Sequence, residues 1–409
     1  MTEAVIVSTA RSPIGRAYKG SLKDLRADEL AARMIAAALA KVPQVSPDDI
    51  DDLILGCGSP GGQQGFNMAR VVSVLLGYDQ VPGVTVTRYC SSSLQTTRMA
   101  LHSIKAGEAD IVISAGTESV SNYAKGTSDR PPGDAGTAAD FGWHHPAFAD
   151  ARARTGAGKW DDPRQAGELP DVYIAMGRTA ENVAGLRGVS RAEQDEFALR
   201  SQTLAAQAIA SGFYAKDITP VELPDGTVVS TDDSPRPSTS AESLAGLKPV
   251  FSEDGTVTAG NCCPLNDGAA ALVIMSDTKA AELGLTPLAR IVSTGVSALS
   301  PEIMGLGPVD ASRRALARAG LTVSDLDLVE INEAFAAQAV PSYQELGIDL
   351  DKVNVHGGAI ALGHPFGQTG ARLTSTLING LREKDGTFGL VTMCVGGGQG
   401  MAMVIERLS

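Results

Sequence analysis

An alternation of helical and strand-like segments that occurs twice restricts this chain more than any other feature. "AALAKVPQVSPDDIDDLILG" (37–56) and "RALARAGLTVSDLDLVEIN" (314–332) each carry a helical segment ending in A-L-A, a short loop, V-S, an acidic pair and an apolar strand. "GFNMARVVSVLLG" (65–77) and "HPFGQTGARLTSTLINGL" (364–381) are both helical patterns near a glycine, and each half then reaches a strand ending in cysteine, "VTVTRYC" and "FGLVTMC". Three matches in one order point to a duplicated βαβαβ unit, with sheets covered by helices on both faces. Halves lying side by side would bring corresponding strand ends together, and with them Cys90 and Cys394. The predicted fold is α/β: residues 1–119 and 251–277 form an N-terminal half and 278–409 a C-terminal half. Residues 120–250 hold two Gly/Pro/Ser-rich stretches flanking two helices, and read as an inserted, mixed segment lying over the core.

Charge narrows the partners. Thirty-four basic against 47 acidic residues leave a formal charge of −13, a poor basis for nucleic-acid binding. The opening "MTEAVIVSTARSPIG" lacks a cationic leader and reads as a strand, no run is long enough to span a membrane, and "IERLS" is not a peroxisomal address. A cytoplasmic location is expected. Five cysteines without a C-x-x-C pair, and no H-E-x-x-H, point to neither a disulfide scaffold nor a metal site.

The chemistry-bearing residues stand at predicted strand ends and helix starts. After Cys90, Leu94, Leu101 and Ile104 form an apolar stripe that Gly107 terminates, so Cys90 is placed at a helix N-terminus. Unpaired N–H groups there favour an anion, and the thiol is expected to ionise more easily. The plain alternative is a small buried hydrophobe, a common fate of cysteine. The serines Ser91 to Ser93 suit a first helical turn and leave room for an incoming group. Pro365 suits a first helical position, and Leu373, Leu377 and Leu381 continue the pattern. This puts His364 at a second helix start, where a neutral imidazole able to take a proton is expected. Its alternative is a histidine hydrogen-bonded in a turn. "MCVGGGQGMAMVIERL" sets glycines, Gly396 among them, between two strands, where free N–H groups can bind an oxyanion. Asn332 and Glu333 follow a strand directly, with Glu333 read as structural.

"CSSSLQ", "NEAF", "GGAIALGHPFGQTGA" and "CVGGGQG", together with "AMGRTAEN", "NDGAAAL" and "MGLGPV", resemble the thiolase family over essentially the whole chain. The resemblance implies a layered α-β-α-β-α core. It implies Claisen condensation of two acetyl-CoA to acetoacetyl-CoA, or cleavage of 3-oxoacyl-CoA by CoA. By motif match Cys90 is the acylated nucleophile, His364 its base, and Cys394 the acid/base at the α-carbon, with a thiol reference pKa of ~8.5 that needs only modest tuning. Asn332 orients a water in the enolate pocket, and the N–H groups of Cys90 and Gly396 form the other oxyanion pocket. Met176, Arg236, Phe251, Ala259, Cys263 and Phe335 match positions that hold CoA, a substrate rather than a permanently bound cofactor. Homodimers or homotetramers are implied. The chain departs from the family in having "CSSS" for "CGSG", Cys263 for a serine, Ala175 for a histidine and His356 for an asparagine, departures that bear on chain-length preference. A longer-chain degradative thiolase is the near alternative. A ketosynthase does not need the second catalytic cysteine that "CVGGGQG" supplies, and a hydrolase would release free acid. A non-catalytic acyl-CoA carrier would need neither thiol.

Overall fold

The computed structural model describes residues 2–125, 144–156 and 159–409, so most of the loop "KGTSDRPPGDAGTAAD" lies outside the described residues. Its strands are β1 (Ala4–Arg11), β2 (Gly15–Arg16), β3 (Asp52–Gly56), β4 (Gly83–Val86), β5 (Ile111–Ser119), β6 (Val221–Glu222), β7 (Val228–Val229), β8 (Asn266–Ser276), β9 (Ala289–Ala298), β10 (Leu328–Ile331), β11 (Phe388–Val395) and β12 (Gln399–Arg407). Nine of them run β10-β11-β12-β9-β1-β8-β5-β3-β4 in one sheet, with the two-residue β2 beside β8. Read outward from the β1–β9 seam, the two sides are the same: β1-β8-β5-β3-β4 and β9-β12-β11-β10, the latter completed by a parallel bridge from Val329 to Val353. On both sides the inner pairs are antiparallel (β1–β8, β5–β8; β9–β12, β11–β12) and the outer pairs parallel (β3–β5; β10–β11).

This symmetry corrects two of the three sequence matches. Helices Ala27–Ala40 and Gly307–Ala319, leading to β3 and β10, do correspond. Helix Met68–Leu75, however, corresponds to Ala336–Leu346, each following the equivalent strand. The partner of Thr369–Lys384 is Ser92–Ala106. Likewise β4 is an edge strand, whereas β11 occupies the position of β5. Cys90 and Cys394 are therefore not equivalent. The turn before Ser92–Ala106 and the loop before Thr369–Lys384 are, so the duplication relates Cys90 to His364.

Three apolar cores give the layers. One packs Leu30, Met34 and Ile35 of Ala27–Ala40 on β1, β3, β5 and β8. A second encloses Leu94, Leu101 and Ile104 with Leu373, Leu377 and Leu381, contacting strands of both halves. A third packs Ala311, Ala315, Ala336 and Val340 on the outer face of β10–β12. The order is helix, sheet, helix, sheet, helix. Residues of β5 and β8 are buried throughout, as strands covered on both faces must be. The insertion contains helices Met176–Arg187 and Arg191–Ala210, as its sequence predicts. Arg11 at the end of β1 ties it to the core through Asp217 (2.5 Å) and Asp232 (2.7 Å), both buried. No helix among the described residues is long and apolar enough to cross a membrane.

The two central helices touch through backbone. A Cβ at Gly370 would lie 2.3 Å from the Leu94 nitrogen, and Ala371 N–H donates to Ser93 Oγ at 2.9 Å. Gly370→Ala is expected to force these helices apart at a cost of about 1–3 kcal/mol. A lowered thermal midpoint reads this out, and an unchanged midpoint contradicts the contact.

Candidate active site

Helix Ser92–Ala106 ends as its sequence predicts, with Gly107 left-handed at φ 75°. Cys90 sits in the 3-10 turn Tyr89–Ser91 just before it, entered through Tyr89 at φ 44°. Left-handed geometry is unfavourable for an aromatic residue, so the surroundings must hold it. The serines do much of this. Ser92 Oγ donates to Tyr89 O (2.7 Å) and accepts from Arg88 N (2.9 Å), Ser91 Oγ donates to Arg88 O (3.1 Å), and all three serines are buried. They stitch the turn rather than leaving open room, which corrects the expectation for them.

Burial also corrects the expected easy ionisation. It pushes the Cys90 thiol up to about 12, although N–H groups of Gly396 and of Cys90 itself act in the opposite direction. Those are the two N–H groups that the family resemblance pairs as an oxyanion pocket. Gly396 opens the β11–β12 turn, where Gly397 and Gly398 are left-handed at φ 74° and 77°. Two residues earlier, Cys394 is fully buried in β11 and its thiol is pushed well above its ordinary value, first by burial and then by Cys90. The modest tuning expected of it is not what the fold supplies. Cys263 is raised by burial and then by Cys262, Cys90 and Cys394, so these sulfurs share one neighbourhood.

His364 does not begin a helix. Residues Pro365 to Gln368 form a turn, and the helix is Thr369–Lys384. The neutral ring is nonetheless retained: burial, then Arg372, lowers its pKa to about 3. Its tautomer follows from one hydroxyl. Thr369 Oγ1 donates its only proton to Pro365 O (2.6 Å), so it accepts from His364 Nδ1–H at 2.6 Å. The proton is on Nδ1, and Nε2 carries the lone pair and accepts from Asn332 Nδ2 at 3.2 Å. Asn332 Oδ1 is buried without a partner among the described residues, as an acceptor awaiting a donor would be.

Two carboxylates hold the loops: Glu118, not singled out in the sequence, and Glu333. Buried Glu118, at the end of β5, accepts from Gly58 N (2.6 Å), Gly367 N (2.8 Å), Tyr123 Oη (3.0 Å) and Ser59 N (3.2 Å). It thus joins the loop after β3 to the His364 loop, and Gly58 in turn lies against Tyr89 O and Phe366. Only the "TES" triplet hinted at it. Glu333 accepts from Ser201 Oγ (2.6 Å), Asn354 Nδ2 (2.7 Å) and Ile360 N (3.1 Å), fixing the segment before His364, in keeping with its structural reading. His356 stacks on Phe213 and meets Glu383 at 2.8 Å, away from the thiols.

A cavity of about 520 Å³ opens beside this centre, lined by Arg236, Ser243, Leu247, Ala259, Cys262 and Pro264 among others. Of the six positions expected to hold CoA, Arg236 and Ala259 line it. Met176, Phe251 and Phe335 pack instead in an apolar cluster with Cys394 and Cys262. Cys263 N–H donates to Ala334 O (3.0 Å) and Ala336 N–H to Asn261 O (2.9 Å), so the cavity wall is joined to the N-E-A-F segment.

Comparison with known proteins covers nearly the whole chain. Residues 4–278 match the Thiolase, N-terminal domain, and residues 285–407 the Thiolase, C-terminal domain. The chain belongs to the thiolase family. This thiolase is 44% identical to the 3-ketoacyl-CoA thiolase of Bacillus subtilis (strain 168), over 99% of this chain and 100% of the relative. It is also 44% identical to the 3-oxoadipyl-CoA/3-oxo-5,6-dehydrosuberyl-CoA thiolase of Escherichia coli (strain K12), over 100% of both. Among solved structures it is similar to the Bacillus anthracis acetyl-CoA acetyltransferase (TM-score 0.85, 40% identity, 100% of this chain and 99% of that one). Human mitochondrial 3-ketoacyl-CoA thiolase in complex with CoA matches at TM-score 0.85 and 36% identity, over 100% and 98%. The thiolase is an acyltransferase enzyme.

Thr369→Val removes the acceptor of the Nδ1 proton while keeping the volume. The expected result is a roughly 10- to 100-fold fall in kcat with the thermal midpoint nearly unchanged, because a ring free to turn loses its reactive orientation. Steady-state rates beside a melting curve test this, and wild-type kcat contradicts the tautomer assignment.

Proposed function

We propose that this thiolase joins two acetyl-CoA molecules into acetoacetyl-CoA, and in reverse cleaves 3-oxoacyl-CoA with CoA, through an acyl thioester on Cys90. The observation that carries this reading is a chain of contacts: Cys90 acts on Cys394, Gln338 lies between Cys394 and Asn332, and Asn332 meets the neutral His364 at Nε2. His364 Nε2 holds the lone pair that takes the Cys90 proton, the sulfur attacks the thioester carbonyl, and the CoA thiolate leaves with the Cys394 proton, so that Cys394 is left as the thiolate. The N–H groups that soften the cost of the Cys90 thiolate are those available to the developing oxyanion, where one donor is worth about 3 kcal/mol of barrier.

In the second half-reaction Cys394 removes a proton from the methyl carbon of the incoming acetyl-CoA. The C–H electron pair becomes the enolate, which attacks the acyl carbonyl and expels the Cys90 thiolate, and that sulfur recovers its proton from the His364 imidazolium. Asn332 and His364 face the enolate oxygen. Arg236, exposed at the cavity rim, is the cation for CoA phosphates. Met176, Phe251 and Phe335 form the apolar wall along which the pantetheine arm or acyl chain reaches Cys394. The described part of residues 120–250, with its helices Met176–Arg187 and Arg191–Ala210, covers this face, between halves at 1–119 with 251–277 and at 278–409.

A preference for longer 3-oxoacyl chains is the second reading, favoured by relatives named 3-ketoacyl-CoA thiolase. A series of 3-oxoacyl-CoA substrates of rising length, including one ending in a carboxylate, separates the two. The same assays on Cys394→Ala are expected to retain a single-turnover acetyl transfer to Cys90 while condensation is abolished. Cys90→Ala is expected to lose both. Equal loss of both half-reactions in Cys394→Ala contradicts the division of labour.

A second copy of the chain is the proposed partner. The open edge of β4 lies next to exposed apolar side chains: Phe66, 95% exposed, with Val74, Leu75 and Val84. Sedimentation is expected to give a dimer or tetramer, and Phe66→Asp to shift it toward monomer. A wild-type monomer rules this out.

A further inference from the structure

Gln338 in helix Ala336–Leu346 is fully buried, and one end of its amide lies 3.3 Å from Cys394 Sγ. Hydrogen-bond complementarity decides which end. The amide oxygen belongs against Ala339 N–H (2.9 Å) and the nitrogen against Asn332 O (3.1 Å), since the reverse sets oxygen on oxygen and nitrogen on nitrogen. It is therefore the NH₂ group that faces both Asn332 O and the sulfur. One of its protons serves the carbonyl, and the other is directed at Cys394. The side chain has little freedom to leave. A Cβ at Gly305 would come within 2.6 Å of Gln338 Cβ and 3.4 Å of its Cγ.

The rest of what surrounds Cys394 is apolar or neutral. Met304, Phe335, Ala337 and Val257 pack against it. The titratable groups that face it are the thiols of Cys90, from the turn before Ser92–Ala106, and of Cys263, from the segment before β8. No carboxylate, guanidinium or ammonium group among the described residues acts on it. A thiolate there needs a hydrogen-bond donor, and Gln338 is the side chain that offers one.

We propose that Gln338 is a positioning residue for the carbon–carbon step: one amide N–H favours the Cys394 thiolate and aims its lone pair, while the other fixes the main chain of Asn332. This rests on the reading of Cys394 as the group that takes the α-proton. In that step the proton passes from carbon to Sγ, and the amide N–H bond to sulfur weakens as the charge moves to the enolate. A single side chain thereby sets the spacing between the base and the residue facing the enolate oxygen.

Gln338→Met keeps length and removes the N–H, and Gln338→Glu keeps shape and places a carboxyl group against the sulfur. In Gln338→Met, condensation is expected to fall roughly tenfold near neutral pH and to recover at alkaline pH, its rising limb displaced upward by about one pH unit. Single-turnover acetylation of Cys90 is expected to stay at the wild-type rate. Gln338→Glu, the isosteric check should the methionine variant fold poorly, is expected to move the limb in the same direction. An unmoved limb, or a loss equal in both half-reactions at every pH, overturns the proposal and leaves Gln338 a packing residue. Cys394→Ala run alongside separates the two levels. If it still condenses, the proton-transfer reading fails and this inference with it. If it does not condense and the limb in both Gln338 variants stays in place, the inference about Gln338 alone fails.

Discussion

The close approach of the two central helices is the constraint on which the site depends. Gly370 admits the Leu94 backbone, and Ser93 Oγ receives the Ala371 N–H. Because these helices are equivalent in the duplicated fold, the turn before one and the loop before the other arrive at the same level. His364 Nε2 is in turn linked to Cys394 through Asn332 and Gln338, and Cys394 to Cys90. Glu118 then locks the arrangement from below, accepting N–H groups from the loop after β3 and from the His364 loop. A side chain even one methyl larger at Gly370 disturbs all of this, since interiors at crystal-like density have no slack to absorb it.

Dryness has opposite effects on the reacting groups. It makes each thiolate expensive, with Cys90 pushed up to about 12 and Cys394 raised well above its ordinary value. It also keeps His364 neutral, near 3, and so able to accept a proton. Low dielectric strengthens each fixed dipole in the centre, so N–H donors on Cys90, Gly396 and Gln338 count for more than they would in water. The chain has gathered sulfurs where ionisation is costly until substrate supplies the charge distribution that the donors are built for. A helix N-terminus alone does not offset burial.

The motifs were legible because they combine rare residue types at fixed offsets. Cys90 before an apolar stripe that closes at Gly107, Asn332 directly after a strand, and the glycines behind Cys394 all stand where the sequence puts them. The neutral state of His364 was legible too, although the reason was not: it lies in the loop just before a turn, and burial rather than a helix start removes its charge. The repeat alignment was legible only in part. A helical pattern near a glycine, or a short apolar strand ending in cysteine, recurs in any α/β chain. Two of three matches therefore joined elements that the sheet order places in different positions.

By itself the sequence determined the fold class and the reacting side chains, because apolar periodicity and turn-forming residues act locally along the chain. Tertiary structure alone decided which repeat elements correspond and which proton His364 keeps. It alone gave Glu118, Thr369 and Gln338 their places beside the reacting groups. Those outcomes depend on hydrogen bonds between residues far apart in the chain, such as Gly367 N–H to Glu118 and Gln338 against Cys394. A donor or acceptor is common in sequence, and only burial beside a particular partner makes it consequential.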